Sequence, residues 1–133
     1  MENVRLTEAE AAKMNVGVLA FVGDAYFHLE TRARLAAASM QKSGALHLKA
    51  TAYVSAVSQA RIVDRIKPFL NGFELDLMRR ARNADSNTPA KNASLAEYKK
   101  STSLEAVVGY YYMTGGAERL GELMKIIFET ENT

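Results

Sequence analysis

Apolar residues recur at helical spacing along most of the chain, and this pattern predicts an all-α fold. The longest such stretch runs from Val16 to Met40 and should form the central helix. Gly44 lies just beyond it and is a residue type that tolerates a left-handed helix end. A second helical stretch runs from His47 to Ile66, and a shorter one from Glu74 to Arg82. No stretch shows the regular alternation of a half-buried strand, so we expect no sheet.

Two capping sequences mark the starts of further helices. Thr7 and Glu10 form a capping box, which predicts a short first helix ending at about Met14. Ser94 and Glu97 form a second capping box, which opens a long helix in the second half of the chain. Its run of three tyrosines has core spacing for the most part, so we do not interpret the run as a platform for stacking bases.

The remaining signals are a loop and a turn. The segment from Asn83 to Asn92 is rich in turn-forming residues and predicts the one substantial loop. Gly115 and Gly116 predict a turn into a last helix that ends near Thr130. The patterns together predict six helices in one domain covering residues 1–133.

Composition narrows the class of protein. A chain of 133 residues with 48% apolar residues can bury one core but hardly two. It contains no cysteine, which excludes disulfides and thiolate sites and fits the cytoplasm, and no apolar run approaches the ~20 residues of a membrane span. The net charge of +2 is small, so a nucleic-acid partner would have to be recognised by local clusters of positive residues. Such clusters are Arg61, Arg65 and Lys67, then Arg79, Arg80 and Arg82, then Lys91, Lys99 and Lys100.

Two acidic residues stand alone in apolar surroundings, Asp24 in the first long stretch and Glu105 in the second-half helix. A buried carboxylate has to be paired, hydrogen-bonded or bound to a metal, because its desolvation otherwise costs on the order of several kcal/mol. Two carboxylates on two helices form a ligand set that suits Mg²⁺. Spacing alone equally allows a local pair of Asp24 with His28, and a solvated Glu105 beside Lys99 or Lys100.

The segments around these two acids resemble known motifs. Phe21-Val22-Gly23-Asp24-Ala25 resembles the signature of the ribonuclease III family, and Leu104-Glu105-Ala106-Val107-Val108-Gly109 resembles its second motif. The order and separation of the two motifs also fit. Segments between them resemble the Mini-III branch of that family: Leu46-His47, Val54-Ser55-Ala56, Ser58-Gln59-Ala60, Arg80-Ala81-Arg82-Asn83-Ala84 and Pro89-Ala90-Lys91-Asn92.

The resemblance implies a ribonuclease III-like helical domain, without an appended double-stranded RNA-binding domain, that works as a homodimer. It implies an endonuclease that cuts double-stranded or structured RNA with Mg²⁺, or alternatively with Mn²⁺, and matures ribosomal RNA precursor of the 23S type. Asp24 and Glu105 carry over as catalytic residues and metal ligands, and Phe21 as a residue of the dimer interface. A ribosomal protein that presents the RNA is a further possible partner.

A-form RNA is recognised mainly through phosphates, 2′-hydroxyls and duplex shape, so exposed polar and positive residues are the candidate contacts. An arginine-rich helix end also occurs simply because cations are favourable at the negative end of the helix dipole. The candidate RNA-binding residues are His47, Lys49, Tyr53, Gln59, Arg79, Arg80, Arg82, Lys91 and Asn92.

The sequence departs from larger family members at Gly17, Ala20 and Thr102, where those proteins carry further carboxylates. Mini-III enzymes share this departure, which leaves a sparse metal site in which the hydroxyl of Thr102 could hold a water. Two alternatives therefore remain, an inactive RNA-binding module of the same fold and a helical adaptor dimer. Other chemistries lack their signals, since the two histidines stand alone and there is neither a phosphate-binding loop nor a Ser-His-acid signature.

Overall fold

The fold is a bundle of α-helices, seen in a computed structural model that describes residues 4–38, 42–84 and 93–129. The prediction of an all-α fold is confirmed, because these ranges contain helices and no strand. The helices are α1 (Glu8–Lys13), α2 (Val16–Ala38), α3 (Ser43–Val54), α4 (Ala56–Ile66), α5 (Gly72–Asn83), α6 (Leu95–Thr114) and α7 (Ala117–Glu129), with a 3-10 turn at Lys67–Phe69.

The central position belongs to α6 and not to α2, so the prediction that the first long stretch would be central is wrong. Helix α6 packs against α1, α2, α4, α5 and α7, and it buries residues on several sides. Helix α2 is longer but keeps one side open, where Phe21 and Leu29 are exposed. Length and apolar content alone did not distinguish these two positions.

The stretch predicted as one helix from His47 to Ile66 is two helices, so the described ranges contain seven α-helices and not six. The break lies at Ser55, whose backbone is extended (φ −66°, ψ 153°). Its side chain accepts a hydrogen bond from the backbone N–H of Ser58 at 3.2 Å and so caps α4. A serine that can bond its own backbone locally competes with the continuing helix, which explains the break.

Most of the predicted helix ends agree with the structure. Both predicted capping boxes are confirmed, and Gly115 ends α6 in the left-handed conformation (φ 73°). Asn71 and Glu74 form a third capping box, at the start of α5, that the sequence analysis missed. Gly44 is not a helix end, because it lies in the first turn of α3. Of the predicted loop, residues 85–92 lie outside the described ranges.

Two glycines bring α2 and α6 together backbone to backbone. A Cβ atom on Gly23 would lie 1.8 Å from the carbonyl oxygen of Glu105, and one on Gly109 would lie 1.8 Å from that of Leu19. No side chain fits at either position, so both motifs need glycine at this crossing. Asp24 follows Gly23 directly, and Glu105 lies one turn before Gly109, so the crossing fixes where the two acids meet.

The far side of the bundle is held by a buried ion pair. Glu74 of α5 is fully buried and accepts two hydrogen bonds from the guanidinium of Arg119 on α7, at 2.7 and 2.8 Å. The hydroxyl of Tyr111 on α6 donates a third, at 2.6 Å. The network therefore joins three helices. No helix in the described ranges is long and apolar enough to cross a membrane.

Candidate functional site

The structure brings Asp24 and Glu105 together at the crossing of α2 and α6. Their carboxyl groups are close enough to interact, since burial and then the carboxylate of Asp24 raise the pKa of Glu105. The side chain of Asp24 is 53% exposed, whereas that of Glu105 is largely withdrawn from solvent behind it. The pair thus has one acid facing the solvent and one acid facing the interior.

Electrostatics in this pair favour a bound cation or proton. Burial raises the pKa of Glu105 to about 9, with the neighbouring carboxylate of Asp24 as the second cause. Two carboxylates this close do not both ionise readily, so without a cation the pair holds a proton at neutral pH. A divalent cation would replace that proton and neutralise both charges.

The alternative interpretation of the two acids is half right. Nε2 of His28 lies 3.2 Å from Oδ1 of Asp24, one turn along α2, so the local pair exists. It is wrong for Glu105, because that side chain does not lie in solvent beside a lysine. Lys100 instead donates to Asp64, with its Nζ 2.8 Å from Oδ1.

The pair lines an open cavity of about 700 Å³. Gly17, Ala20 and Thr102, where larger family members carry carboxylates, line the same cavity, so small or neutral residues surround the acids. The hydroxyl of Thr102 donates to the carbonyl oxygen of Tyr98 at 3.0 Å, so towards a water it can only accept. The remaining lining residues are Asn15, Val16, Phe21, Val54, Ala56, Gln59, Ala81, Ala84, Tyr98, Lys99 and Ser101.

The donor set fits a single hard cation held largely by water. Asp24 and Glu105 supply carboxylate oxygens, and no further His, Cys, Asp or Glu of the described ranges completes a group of three around a metal position. Mg²⁺ commonly takes only one or two protein carboxylates and fills its shell with waters and phosphate oxygens. The observation that supports such an ion here is that two carboxylate side chains from two helices line one cavity.

Gln59 is the one predicted RNA contact that the structure places inside the protein. Only 1% of its surface is exposed. Its Nε2 donates to the carbonyl oxygen of Val54 at 3.1 Å and to Oε2 of Glu105 at 3.5 Å. A side chain buried in this way cannot form part of a surface for RNA, so we correct that assignment. Gln59 instead contacts Glu105, one of the two acids of the carboxylate pair.

The other predicted RNA contacts are spread over two surfaces. His47 and Lys49 are exposed on α3, whereas Tyr53 is half-buried with its ring 5.1 Å from that of Phe128. Arg79 and Arg80 are exposed on α5, and Arg82 is half-buried there. Both exposed arginines pair with Asp76, at 2.9 and 3.2 Å, and they lie near the helix end, as the dipole interpretation also expects. Lys91 and Asn92 lie outside the described residues.

The structure adds residues that the sequence analysis did not assign to the site. Lys99 and Tyr98 line the cavity from α6, and Asn15 lines it from the segment before α2. Helical spacing could have indicated Tyr98, which precedes Glu105 by seven residues, about two turns of α6. Lys99 precedes it by six residues, which places it about 120° round the helix, so spacing does not indicate it. Asn15 carries no such signal.

Phe21 is a large apolar side chain at the edge of the same cavity. It is 78% exposed, one turn before Asp24 on the open side of α2. Aromatic residues are enriched at protein interfaces, so an exposed phenylalanine suits an interface. A partner that covered Phe21 would also border the carboxylate pair.

Comparisons with known proteins agree with this geometry. Residues 17–116 match the model of the ribonuclease III domain. The chain is 43% identical over 108 residues to Mini-ribonuclease 3 of Streptococcus pneumoniae, covering 80% of this chain and 84% of that protein. It is 40% identical over 111 residues to Mini-ribonuclease 3 of Brevibacillus brevis, covering 84% and 83%. A crystal structure of a Fusobacterium nucleatum protein superposes with a TM-score of 0.79 at 28% identity, covering 90% of this chain and 95% of that one.

Proposed function

Since this chain belongs to the ribonuclease III family, we propose that it is an Mg²⁺-dependent endonuclease that hydrolyses phosphodiesters in double-stranded or structured RNA. The observation that carries the proposal is the meeting of Asp24 and Glu105 at the wall of an open cavity. A catalytically inactive RNA-binding module would have no need to keep two acids in contact at this energetic cost.

The chain's own residues prepare the site for a charged substrate. Asp24 and Glu105 would hold the ion, and Mn²⁺ has the same preference for oxygen ligands. When bound, such an ion lowers the pKa of water and neutralises charge that develops on the phosphate. Nε2 of His28 lies 3.2 Å from the exposed carboxylate of Asp24, a contact that restricts its rotation. Lys99 lines the cavity and can bind a phosphate of the RNA backbone.

We further propose a homodimer in which Phe21 contacts the second copy. Burying one large aromatic residue contributes about 1.5–3 kcal/mol, and exposed aromatic residues are the usual anchors of such interfaces. The two cavities would then face one duplex from neighbouring positions, and each would cut one strand. The RNA-binding surface would continue over His47 and Lys49 on α3 and over the arginines of α5.

The native substrate in this proposal is a ribosomal RNA precursor of the 23S type, in the cytoplasm, with a ribosomal protein as a possible presenting partner. The curated relatives support it only through their name, Mini-ribonuclease 3. The structure supports it only through the open cavity beside the carboxylate pair, which can give a backbone phosphate access to the two acids.

The test is cleavage of a long RNA duplex by the purified protein with Mg²⁺, with Mn²⁺ and with a chelator. We expect cutting with either metal, none with the chelator, and losses in kcat of at least about 100-fold for Asp24→Asn and for Glu105→Gln. Asp64→Asn is the matched control, because Asp64 is an exposed acid paired with Lys100 outside the cavity lining. The proposed activity is contradicted if wild-type protein leaves the RNA intact, or if the two site variants cut it as fast as wild type does. Binding without cutting supports the RNA-binding module instead.

A further inference from the structure

The break between α3 and α4 leaves the carbonyl group of Val54 without its helical partner. In a continuous helix the carbonyl oxygen of Val54 would accept from the N–H of Ser58. That N–H instead bonds to the hydroxyl of Ser55 at 3.2 Å. The side chain of Gln59 replaces the missing donor, with its Nε2 3.1 Å from the Val54 oxygen.

This contact fixes how the amide of Gln59 is oriented. A carbonyl oxygen accepts hydrogen bonds only, so the NH₂ group and not the oxygen of Gln59 must face Val54. The second hydrogen of the same NH₂ group is then available to Oε2 of Glu105, 3.5 Å away. The amide oxygen of Gln59 is buried without a partner among the described residues, and it can accept from one ordered water.

We propose that Gln59 is a positioning residue for Glu105. Its hydrogen bond to the carbonyl oxygen of Val54 fixes the amide group, and the fixed amide group holds the carboxyl group of Glu105. This inference rests on the proposed function, and it assigns Gln59 a role that the sequence analysis did not foresee. The geometry is well suited to the task, because Gln59 comes from α4, a third helix besides α2 and α6, and the 1% exposure of Gln59 leaves it little freedom. With Gln59 in place, Oε2 of Glu105 has a hydrogen-bond donor beside it.

The test compares Gln59→Met with wild type. Methionine keeps the length and apolar stem of glutamine and removes both donors. We expect kcat to fall by about 10–100-fold with KM for the duplex unchanged, because partners that orient metal ligands act at this magnitude. We also expect the affinity for Mn²⁺, measured by electron paramagnetic resonance without RNA, to weaken about tenfold.

Thr31→Val is the matched control. Thr31 is also fully buried with a hydroxyl that lacks a partner among the described residues, but it lies two turns from Asp24 along α2 and outside the cavity lining. Its variant should keep kcat and Mn²⁺ affinity. A purely structural role for Gln59 predicts instead that Gln59→Met loses thermal stability while each folded molecule keeps kcat and metal affinity, and that result overturns the proposal.

A measurement on wild-type protein decides the case where Gln59→Met does not fold. The side-chain NH₂ resonances of Gln59 should shift when Mg²⁺ is added and should not shift in Glu105→Gln. If these resonances stay fixed while the backbone amide of Asp24 shifts, the proposal is wrong. Failure of the proposed function can be told apart from failure of the role of Gln59. If the proposed function is wrong, wild-type protein leaves the duplex intact, while the Mn²⁺ affinity and the NH₂ resonances still test whether Gln59 positions Glu105.

Discussion

Lys99 and Lys100 are adjacent in sequence, but their side chains have different surroundings. Lys99 lines the cavity of the carboxylate pair, whereas Lys100 donates to Asp64 and does not line it. Since a phosphate contact contributes to binding more than to the chemical step, we expect Lys99→Gln to raise KM for duplex RNA about 5–10-fold with kcat little changed. Steady-state kinetics at two salt concentrations measures this, and the salt dependence of binding should also become shallower.

Lys100→Gln is the control for this prediction, because it removes the same charge one residue away. It should leave KM within about twofold and cost at most about 1 kcal/mol of stability, since its ion pair is on the surface. Equal effects of the two variants would show that only overall charge matters and that Lys99 makes no specific contact.

At the residue scale, the sequence identified Asp24 and Glu105 because lone acids in apolar stretches demand an explanation. The predicted exposed position of Gln59 is wrong, because polar residues of an amphipathic helix normally face solvent and this one does not. Gln59 is 1% exposed and bonds to the helix end at the break before Ser55, a local irregularity that periodicity does not reveal. Residues that depend on regular spacing could thus be predicted, and one that depends on a local irregularity could not.

At the element scale, the crossing of α2 and α6 is the feature that makes the site. Gly109→Ala would place a methyl group 1.8 Å from the backbone oxygen of Leu19, so the helices would have to separate. We expect a loss of about 3 kcal/mol in the free energy of unfolding, at the upper end for overpacking, and a loss of kcat in the molecules that still fold. Urea denaturation and the duplex cleavage assay measure the two effects.

Gly121→Ala is the matched control for the crossing. Gly121 lies within α7, and a Cβ atom added there meets nothing within 4 Å. Alanine is the better helix former, so this variant should gain about 0.5–1 kcal/mol. If Gly109→Ala is tolerated as well as Gly121→Ala, the close crossing is not required for folding.

Helix ends were predictable where a local side-chain rule applies and less so elsewhere. The two capping boxes and Gly115 follow directly from sequence, because each needs only a few neighbouring residues. The central position of α6 depends on what packs against each helix, and no window of sequence contains that information.

At the scale of the whole molecule, the ion pair of Glu74 and Arg119 makes stability depend on pH. Burial alone would raise the pKa of Glu74, but the hydrogen bonds from Arg119, Tyr111 and the backbone of Asn71 outweigh it, so the pKa is lowered from 4.5. A lowered pKa contributes stability that is present above 4.5 and is lost as pH falls below it.

We therefore expect thermal stability to fall below about pH 4.5, and to fall less steeply in Glu74→Gln, which starts from a lower stability at pH 7. Glu105 does not obscure this range. Its pKa is raised to about 9, so it is protonated in the folded state throughout and affects stability only above pH 4.5. Parallel curves for wild type and Glu74→Gln between pH 7 and pH 3 would contradict the role of the buried pair.

The proposed dimer also belongs to this scale, and it makes the catalytic site a property of two chains. Phe21 is 78% exposed at the edge of the cavity, so its burial by a second copy would tie assembly to the position of the carboxylates. Phe21→Ala should weaken dimerisation about 30-fold, the equivalent of a hot spot of about 2 kcal/mol, as measured by sedimentation. Leu48→Ala is the control, because Leu48 is 75% exposed on α3 and does not line the cavity.

A wild-type protein that remains monomeric at high concentration, or equal effects of the two variants, would require another explanation for the exposed phenylalanine. If dimerisation and double-strand cutting decline together in Phe21→Ala while the Mn²⁺ affinity of each chain is kept, the second copy is needed to hold the duplex and not to build the metal site.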